Sequence, residues 1–263
     1  MPSRRSWSAL ALLLVALAPA QARAQCPAGS FCYFGTDVGG TDATRAPNVN
    51  SAATRANFLS ALTGVGTESF DGLADGATNP SLSFAGAGTA TLGGAGAVET
   101  FAGAGANGAG RYPTSGTRFY EATSSNAGTT FTISFSDPVA AFGFYGIDVG
   151  DQGSQLALRF TLVGGTTLDW VLPYTPSVGR NSARDGSLLY AGFINTTSFT
   201  SVQFRGTDAD DVFAFDDMTI GSAQQVTNPP GSTVPEPSTY VLLASGLGIL
   251  GLVGRRRALS ARS

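Results

Sequence analysis

Two pairs of aspartates are the side chains in this sequence best suited to hold a metal ion. Asp148 and Asp151 lie in a glycine-rich run, and Asp216 and Asp217 are adjacent in an apolar segment further along. Calcium takes roughly six to eight oxygen ligands, and glycine lets backbone carbonyls turn inward in a tight loop. The first run lacks the ligand spacing and closing glutamate of an EF-hand. These aspartates predict a calcium site of another kind, or else loop acids that cap turns and pair with Arg205.

Aromatic residues offer a second kind of binding chemistry. Trp170 and Tyr174 can stack on sugar rings, because an aromatic face presents apolar area beside polar groups. The competing interpretation places Trp170 in the core of a β-hairpin and the tyrosine at a strand end. The pattern favours the second interpretation and leaves sugar binding open.

The residue types make an enzyme difficult to build. The chain has no histidine, which is the commonest general base at neutral pH. A glycosidase needs two carboxylates that face each other across a sugar, and no spacing in the sequence indicates such a pair. We therefore predict a non-catalytic domain, with a hydrolase as the least favoured alternative.

The cysteines and the charge limit the other partners. Cys26 and Cys32 are the only two cysteines, and in an exported chain they favour a small disulfide loop over free thiols. Without histidine they do not make a zinc site. All 15 basic residues are arginine, and seven of them lie in the two ends, so the part between is acidic. Such a surface repels phosphate backbones, and we expect no nucleic-acid partner.

The first 24 residues have the pattern of a secretory signal peptide. Two arginines near the start precede an apolar run at 9–18, and an Ala-Arg-Ala triplet ends at residue 24. The apolar run is too short to span a bilayer. We expect cleavage before Gln25 and export through the inner membrane.

The C-terminal end combines three features in a fixed order. A Val-Pro-Glu-Pro sequence precedes an uncharged run of 17 residues at 238–254, and three arginines follow. The run is at the lower limit for a spanning helix, and the arginines favour a cytoplasmic end. We predict a transmembrane helix at about 239–254. The residues of the motif are Val234, Pro235, Glu236, Pro237, Arg255, Arg256 and Arg257.

This tail, residues 234–258, resembles the PEP-CTERM sorting signal of Gram-negative bacteria that possess an exosortase. The resemblance implies that an exosortase-like membrane protease recognises Pro235-Glu236-Pro237 and processes the chain near it, in organisms that make exopolysaccharide and biofilm. The helix would then anchor the chain to the membrane only transiently. A permanent membrane anchor is the alternative. The resemblance implies nothing about the ligand of the preceding domain.

Residues 67–221 have the pattern of an all-β domain. Apolar residues alternate with period two between glycine-rich turns. The clearest hairpin joins residues 156–162 through Gly164 and Gly165 to a return strand through Trp170. Six or more short strands without a convincing helical period predict a β-sandwich of jelly-roll type. The strands predicted besides the hairpin cover residues 131–135, 139–147 after a turn at Asp137-Pro138, 187–195, 198–205 and 212–220.

The remaining segments complete the organisation. Residues 25–66 form an N-terminal segment with the disulfide loop and a short amphipathic helix within 48–62. Residues 85–110 form either short edge strands or a loose loop, and the polar residues 222–233 form a linker. Residues 69–73, 142–146 and 213–218 also resemble β-sandwich modules found before PEP-CTERM tails.

These observations together predict an exported protein of the cell surface or extracellular matrix. Its sandwich domain has a structural role, and a carbohydrate-binding module for exopolysaccharide is the alternative function.

Overall fold

The computed structural model describes residues 26–124, 131–179, 182–207 and 211–227. The expected signal peptide, sorting motif and C-terminal helix lie outside these residues. Within the described ranges the chain is all-β, with one α-helix, α1 (Asn50–Leu59), and a short 3-10 helix (Ala223–Gln225). The strands are β1 (Ser30–Asp37), β2 (Thr67–Glu68), β3 (Ser81–Phe84), β4 (Gly88–Gly93), β5 (Gly96–Thr100), β6 (Arg118–Ser124), β7 (Thr132–Ile147), β8 (Leu156–Leu162), β9 (Thr167–Val171), β10 (Leu188–Gly206) and β11 (Asp211–Gly221).

The strands form one antiparallel sheet around the central pair β7 and β10. These two strands are 16 and 19 residues long, and each has different neighbours along its length. The start of β10 pairs with β1 and with the end of β7, while the end of β10 pairs with β8 and the start of β7. The end of β7 also pairs with β11, and its start pairs with β4. The sheet therefore has two halves that share these strands.

A break in register separates the two halves. The pairing of β10 with β7 shifts between Ile194 and Phe199 and again before Ser201, and such irregularities bend a strand and increase its twist. Asp137 and Pro138 lie at this break, inside β7. The predicted turn between two strands is wrong, because the proline occupies a position without a β10 partner, where a missing N–H is tolerated.

The two halves face each other across an aromatic core. Phe144 and Phe215 belong to one half of the sheet, and Phe204 belongs to the other. Phe131, which directly precedes β7, packs beside Phe204. The rings of Phe144 and Phe204 are 5.1 Å apart, and those of Phe131 and Phe215 are 5.6 Å apart. All four side chains are fully buried. Aromatic pairs at these separations stabilise a core by about 0.5–1.5 kcal/mol beyond their buried area.

The outer face of the first half is covered by the N-terminal segment. The ring of Phe58 in α1 packs on Gly143 and Gly192, which lie opposite each other on β7 and β10. A Cβ atom at Gly192 would lie 2.6 Å from a carbon of that ring, so the two glycines make the room that the ring occupies. Residues 26–66 thus belong to the same folded unit as residues 67–221.

The folded unit also extends beyond β11. Val226 forms an isolated bridge with Leu62, and the amide of Thr227 donates to the carbonyl of Ala61. The first residues of the segment predicted as a linker therefore pack against the region that follows α1.

The helix α1 is capped by a residue distant in sequence. Its own N-cap residue, Val49, has no side-chain hydrogen bond. The carboxylate of Asp37, at the end of β1, instead accepts hydrogen bonds from the amides of Val49, Asn50 and Ser51 at 3.2, 2.9 and 2.9 Å. Burial opposes ionisation of Asp37, but the Ser51 hydroxyl and these amides outweigh it and lower the pKa. This carboxylate fastens the helix to the edge strand.

Replacing Gly192 by alanine tests the contact with Phe58. The added methyl group must displace the ring, and overpacking of a buried site costs about 1–3 kcal/mol. Urea unfolding should show a loss of that size. The control is Gly66→Ala, whose Cβ would meet nothing within 4 Å, and its effect should stay within about 0.5 kcal/mol. Equal stabilities for the two variants would contradict the packing described.

Replacing Asp37 by asparagine tests the cap. The free energy of unfolding at neutral pH should fall by about 1–3 kcal/mol, and amide hydrogen exchange in α1 should accelerate. Because the folded pKa lies below the unfolded value of about 3.9, the contribution of the carboxylate is complete above that value and is lost as the pH falls through the folded pKa. The difference from wild type should therefore shrink in acid. The exposed Asp75→Asn serves as control, and a difference that is unchanged in acid argues against the cap.

Candidate functional site

The structure gives the two predicted aspartate pairs different surroundings. Asp148 and Asp151 lie in the β7–β8 loop, whereas Asp216 and Asp217 lie within β11. Across the described ranges, no three histidine, cysteine, aspartate or glutamate side chains are grouped as ligands of one metal. The four aspartates thus do not form the single set that the sequence suggested.

Asp216 and Asp217 hold the loop that precedes β6. Asp216 Oδ2 accepts hydrogen bonds from the amide and the hydroxyl of Thr114, both at 2.7 Å, and its Oδ1 accepts one from the amide of Asp217. Asp217 Oδ1 accepts a bond from the hydroxyl of Ser115 at 2.9 Å. Burial, with the nearby charge of Asp217, raises the pKa of Asp216 to about 8. Because protein donors use these oxygens, the pair supports the turn-capping interpretation rather than a metal site.

Asp148 and Asp151 border a polar depression of about 420 Å³ at the end of β7. A second depression, of about 440 Å³, shares Arg111, Asp151 and Gln152 with it and adds Glu121. We call the two together the acidic groove. Its lining side chains carry hydrogen-bonding and charged groups, and the residues that line both depressions include no aromatic ring.

Asp148 lies at the base of the acidic groove in a strained backbone conformation. Its φ is 68°, in the left-handed region that non-glycine residues rarely adopt. Asp148 Oδ1 accepts a hydrogen bond from the amide of Gly186 at 2.8 Å, and Oδ2 lies 3.9 Å from Arg111 Nη1. Burial and the charge of Asp151 raise the pKa of Asp148 to about 8. The backbone of Gly110 approaches this carboxylate so closely that a Cβ there would lie within 2.3 Å of Oδ1.

Asp211 is the site residue that the sequence analysis does not select. It begins β11, is only 1% exposed, and its Oδ2 accepts a hydrogen bond from the amide of Gly150 at 2.6 Å. Burial, with the nearby charge of Asp151, raises its pKa to about 7. The aspartate-rich run at 208–211 was the available signal. Its distance in sequence from Asp151 hid the pairing.

Arg184 supplies positive charge on the inner side of this loop. It is 3% exposed, and its Nε donates to the carbonyl of Val149 at 3.1 Å. Its guanidinium carbon lies 4.6 Å from the centre of the Tyr174 ring. Burial lowers its pKa against the attraction of Tyr174 and of Asp211. Arg184 thus stabilises the β7–β8 loop from its buried side through its contacts with Val149 and Tyr174.

The two predicted sugar-stacking residues are buried. Trp170 is 1% exposed and packs 6.0 Å from the ring of Phe193. The hydroxyl of Tyr174 donates to the carbonyl of Ser154 and accepts from the amide of Leu156. Their burial disfavours stacking on a sugar. The alternative, hairpin-core interpretation describes Trp170.

Two further features predicted from the sequence are the disulfide loop and a membrane-spanning helix. Cys26 and Cys32 form a disulfide with their Cα atoms 5.7 Å apart, which ties the start of the described chain to β1. None of the helices in the described part of the chain is both long and apolar enough to cross a bilayer.

With the fold and the groove described, comparison with known proteins identifies the tail. The chain is an all-β protein that carries a protein-sorting signal. Residues 233–257 match the family model described as the PEP-CTERM protein-sorting motif. This confirms the resemblance noted from the sequence, and the match concerns the tail alone.

The domain itself has distant similarities to solved structures. The crystal structure of the K2 cleaved adhesin domain of Lys-gingipain is 14% identical, with a TM-score of 0.35, and the alignment covers 60% of this chain and 98% of that one. The structure of TmCBM61 in complex with β-1,4-galactotriose is 16% identical, with a TM-score of 0.24, and covers 51% of this chain and 88% of that one. No curated protein sequence matches the chain significantly. At such TM-scores these similarities say nothing about a ligand.

Proposed function

We propose that this chain is an exported surface or extracellular-matrix protein, sorted and processed by an exosortase-like membrane protease, and that its domain is a non-catalytic β-sandwich of jelly-roll type. The observation that carries the proposal is the PEP-CTERM motif at residues 233–257. The motif supports a surface protein that depends on an exosortase. In this proposal the sorting system transports the β-sandwich domain to the cell surface or the matrix.

The arrangement of the tail supports processing over permanent anchoring. The apolar run after Pro237 has the minimum length for a spanning helix, which suits a temporary stop in the membrane. The arginines from Arg255 to Arg257 hold its end on the cytoplasmic side, in agreement with an N-terminus exported by a signal peptide at residues 1–24.

The end of the domain supports access by the protease. The amide of Thr227 donates to the carbonyl of Ala61 in the folded unit, and in the sequence Pro235 follows after a polar stretch with two prolines. The composition of such a stretch is typical of an extended linker, which would separate the motif from the folded unit. The two facing halves of the sheet and their aromatic core support the sandwich classification.

The mass of the mature protein tests this proposal. Intact-mass analysis of protein from the cell surface should show a chain that starts at Gln25 and lacks Arg255 to Arg257. Changing Pro235, Glu236 and Pro237 together to alanine should leave the arginines in place and keep the protein in the membrane fraction. Gln224→Ala, an exposed change in the same region, should be processed like wild type. Surface protein that retains the arginines would identify a permanent anchor.

Exopolysaccharide binding is a second candidate function, favoured by the acidic groove. Arg111, Asp151 and Gln152 present charged and amide groups at the junction of the two depressions. Such groups hydrogen-bond sugar hydroxyls. Because Trp170 and Tyr174 are buried, this binding would depend on polar contacts rather than on stacking.

Binding to the exopolysaccharide of the producing bacterium tests this second function. Gln152→Ala should weaken binding about fivefold, since one lost hydrogen bond to a ligand is worth about 1 kcal/mol. Gln224→Ala is the matched control. No binding by the wild-type protein, or the same affinity for both variants, would remove the acidic groove from consideration and leave a structural role in the matrix.

A further inference from the structure

Buried polar atoms without a hydrogen-bond partner gather where β7 ends and β11 begins. Within the described residues they include Asp151 Oδ1 and Asp211 Oδ1. The hydroxyl of Ser124 is also without a partner, and Ser124 pairs with Asp211 between β6 and β11. The hydroxyl of Ser187 is a fourth such atom, and the carbonyl of Ser187 accepts a hydrogen bond from the amide of Asp148. Buried polar atoms in native proteins are nearly always satisfied, so this end of the sheet requires an additional partner.

The unpartnered oxygens belong to two carboxylates that lie close together. The amide of Gly150, the residue before Asp151, donates to Asp211 and so brings the two carboxylates near each other, and each uses its other oxygen on a protein donor. Asp211 Oδ2 takes the amide of Gly150 at 2.6 Å, and Asp151 Oδ2 takes the side-chain amide of Gln152 at 2.7 Å. The free oxygen on each side is Oδ1. Two carboxylates in this arrangement repel each other unless a proton or a cation lies between them.

The nearby arginines are directed elsewhere. Arg111 Nε lies 3.0 Å from Glu121 Oε2, and its Nη1 donates to the carbonyl of Val212. Arg184 donates to the carbonyl of Val149 and to the hydroxyl of Thr36. Within the described residues, neither guanidinium donates a hydrogen bond to the two Oδ1 atoms. Once both carboxyls are ionised, these oxygens therefore lack a positive partner, which a cation can supply.

We propose that Asp151 and Asp211 bind a calcium ion through their Oδ1 atoms, which joins the β7–β8 loop to the start of β11. The donors are oxygens, which calcium and magnesium prefer. Asp151 lines the acidic groove, from which water can complete the coordination. Calcium accepts such an irregular, partly hydrated shell, whereas magnesium demands a near-ideal octahedron. Two carboxylates correspond to the weak sites of extracellular modules, with Kd of about 10⁻⁴–10⁻³ M. The site is independent of the proposed sorting.

The calcium ligands proposed from the structure differ from those predicted from the sequence. Asp148 and Asp151 were expected to act with Asp216 and Asp217, but the structure pairs Asp151 with Asp211. Asp148 supplies no ligand oxygen in this proposal, because its Oδ1 accepts the amide of Gly186. Calcium binding would fix the glycine-rich loop against β11 and remove the repulsion between the two carboxylates.

Thermal unfolding of the full-length chain in mild detergent tests this site. At neutral pH, about 10 mM calcium chloride should raise the Tm by about 3–5 °C over a chelator-treated sample. Sodium chloride of the same ionic strength should not. Asp151→Asn and Asp211→Asn should each abolish the calcium-dependent rise, while Asp75→Asn should keep it. Calorimetric titration of wild type with calcium alone should give a Kd in the range stated above.

Several outcomes would overturn the proposal. One is a wild-type Tm that calcium does not change, which would mean that a shared proton alone joins the two carboxylates. Another is a rise that sodium chloride reproduces, which would be charge screening. A third is a calcium-dependent rise in Tm that persists in Asp151→Asn. Because Asp151 is half-buried, this variant is less prone to misfold than Asp211→Asn. None of these results bears on the mass of the mature chain, so the site and the sorting proposal fail separately.

Discussion

The pairing of β7 with β10 is the interaction on which the rest of the structure depends. Each strand passes from one half of the sheet to the other, and the break in register after Ile194 bends the pair so that two apolar faces meet. Every other layer is placed by this bend, because β1, β4, β8 and β11 all pair directly with one of the two strands. The aromatic core fills the inside, and α1 closes the outside over Gly143 and Gly192.

The same pair also creates the acidic groove. Where β7 ends, the chain leaves the sheet through Asp148 in a left-handed conformation, and β11 begins beside it with Asp211. The groove is therefore a consequence of strand ends meeting at one edge, and its charge is partly buried because the loops of residues 107–113 and 182–187 close around it. Burial in such a place raises the pKa of carboxyl groups, and a cation or proton becomes the natural compensation.

Local patterns predicted the elements that depend on neighbouring residues. The β8–β9 hairpin follows from alternating leucines on both sides of Gly164 and Gly165, and the tail motif is a contiguous sequence that needs no fold to be recognised. Prediction was wrong at Asp137-Pro138, because proline signals a turn locally, whereas here the break in the β7–β10 ladder accommodates it. The burial of Trp170 and Tyr174 could not be decided from the sequence either, since it depends on what packs over the hairpin.

The sequence by itself determined that the chain is rich in β-strands, that it has no histidine, and that its tail carries a PEP-CTERM signal. These properties reside in composition, in period-two alternation and in short contiguous motifs. Only the tertiary structure decided that Asp37 caps α1, that residues 26–66 belong to the sheet, and that Asp151 meets Asp211 while Asp216 holds Thr114. These contacts join residues far apart in the chain, and their partners are set by strand order and register, which no local spacing encodes.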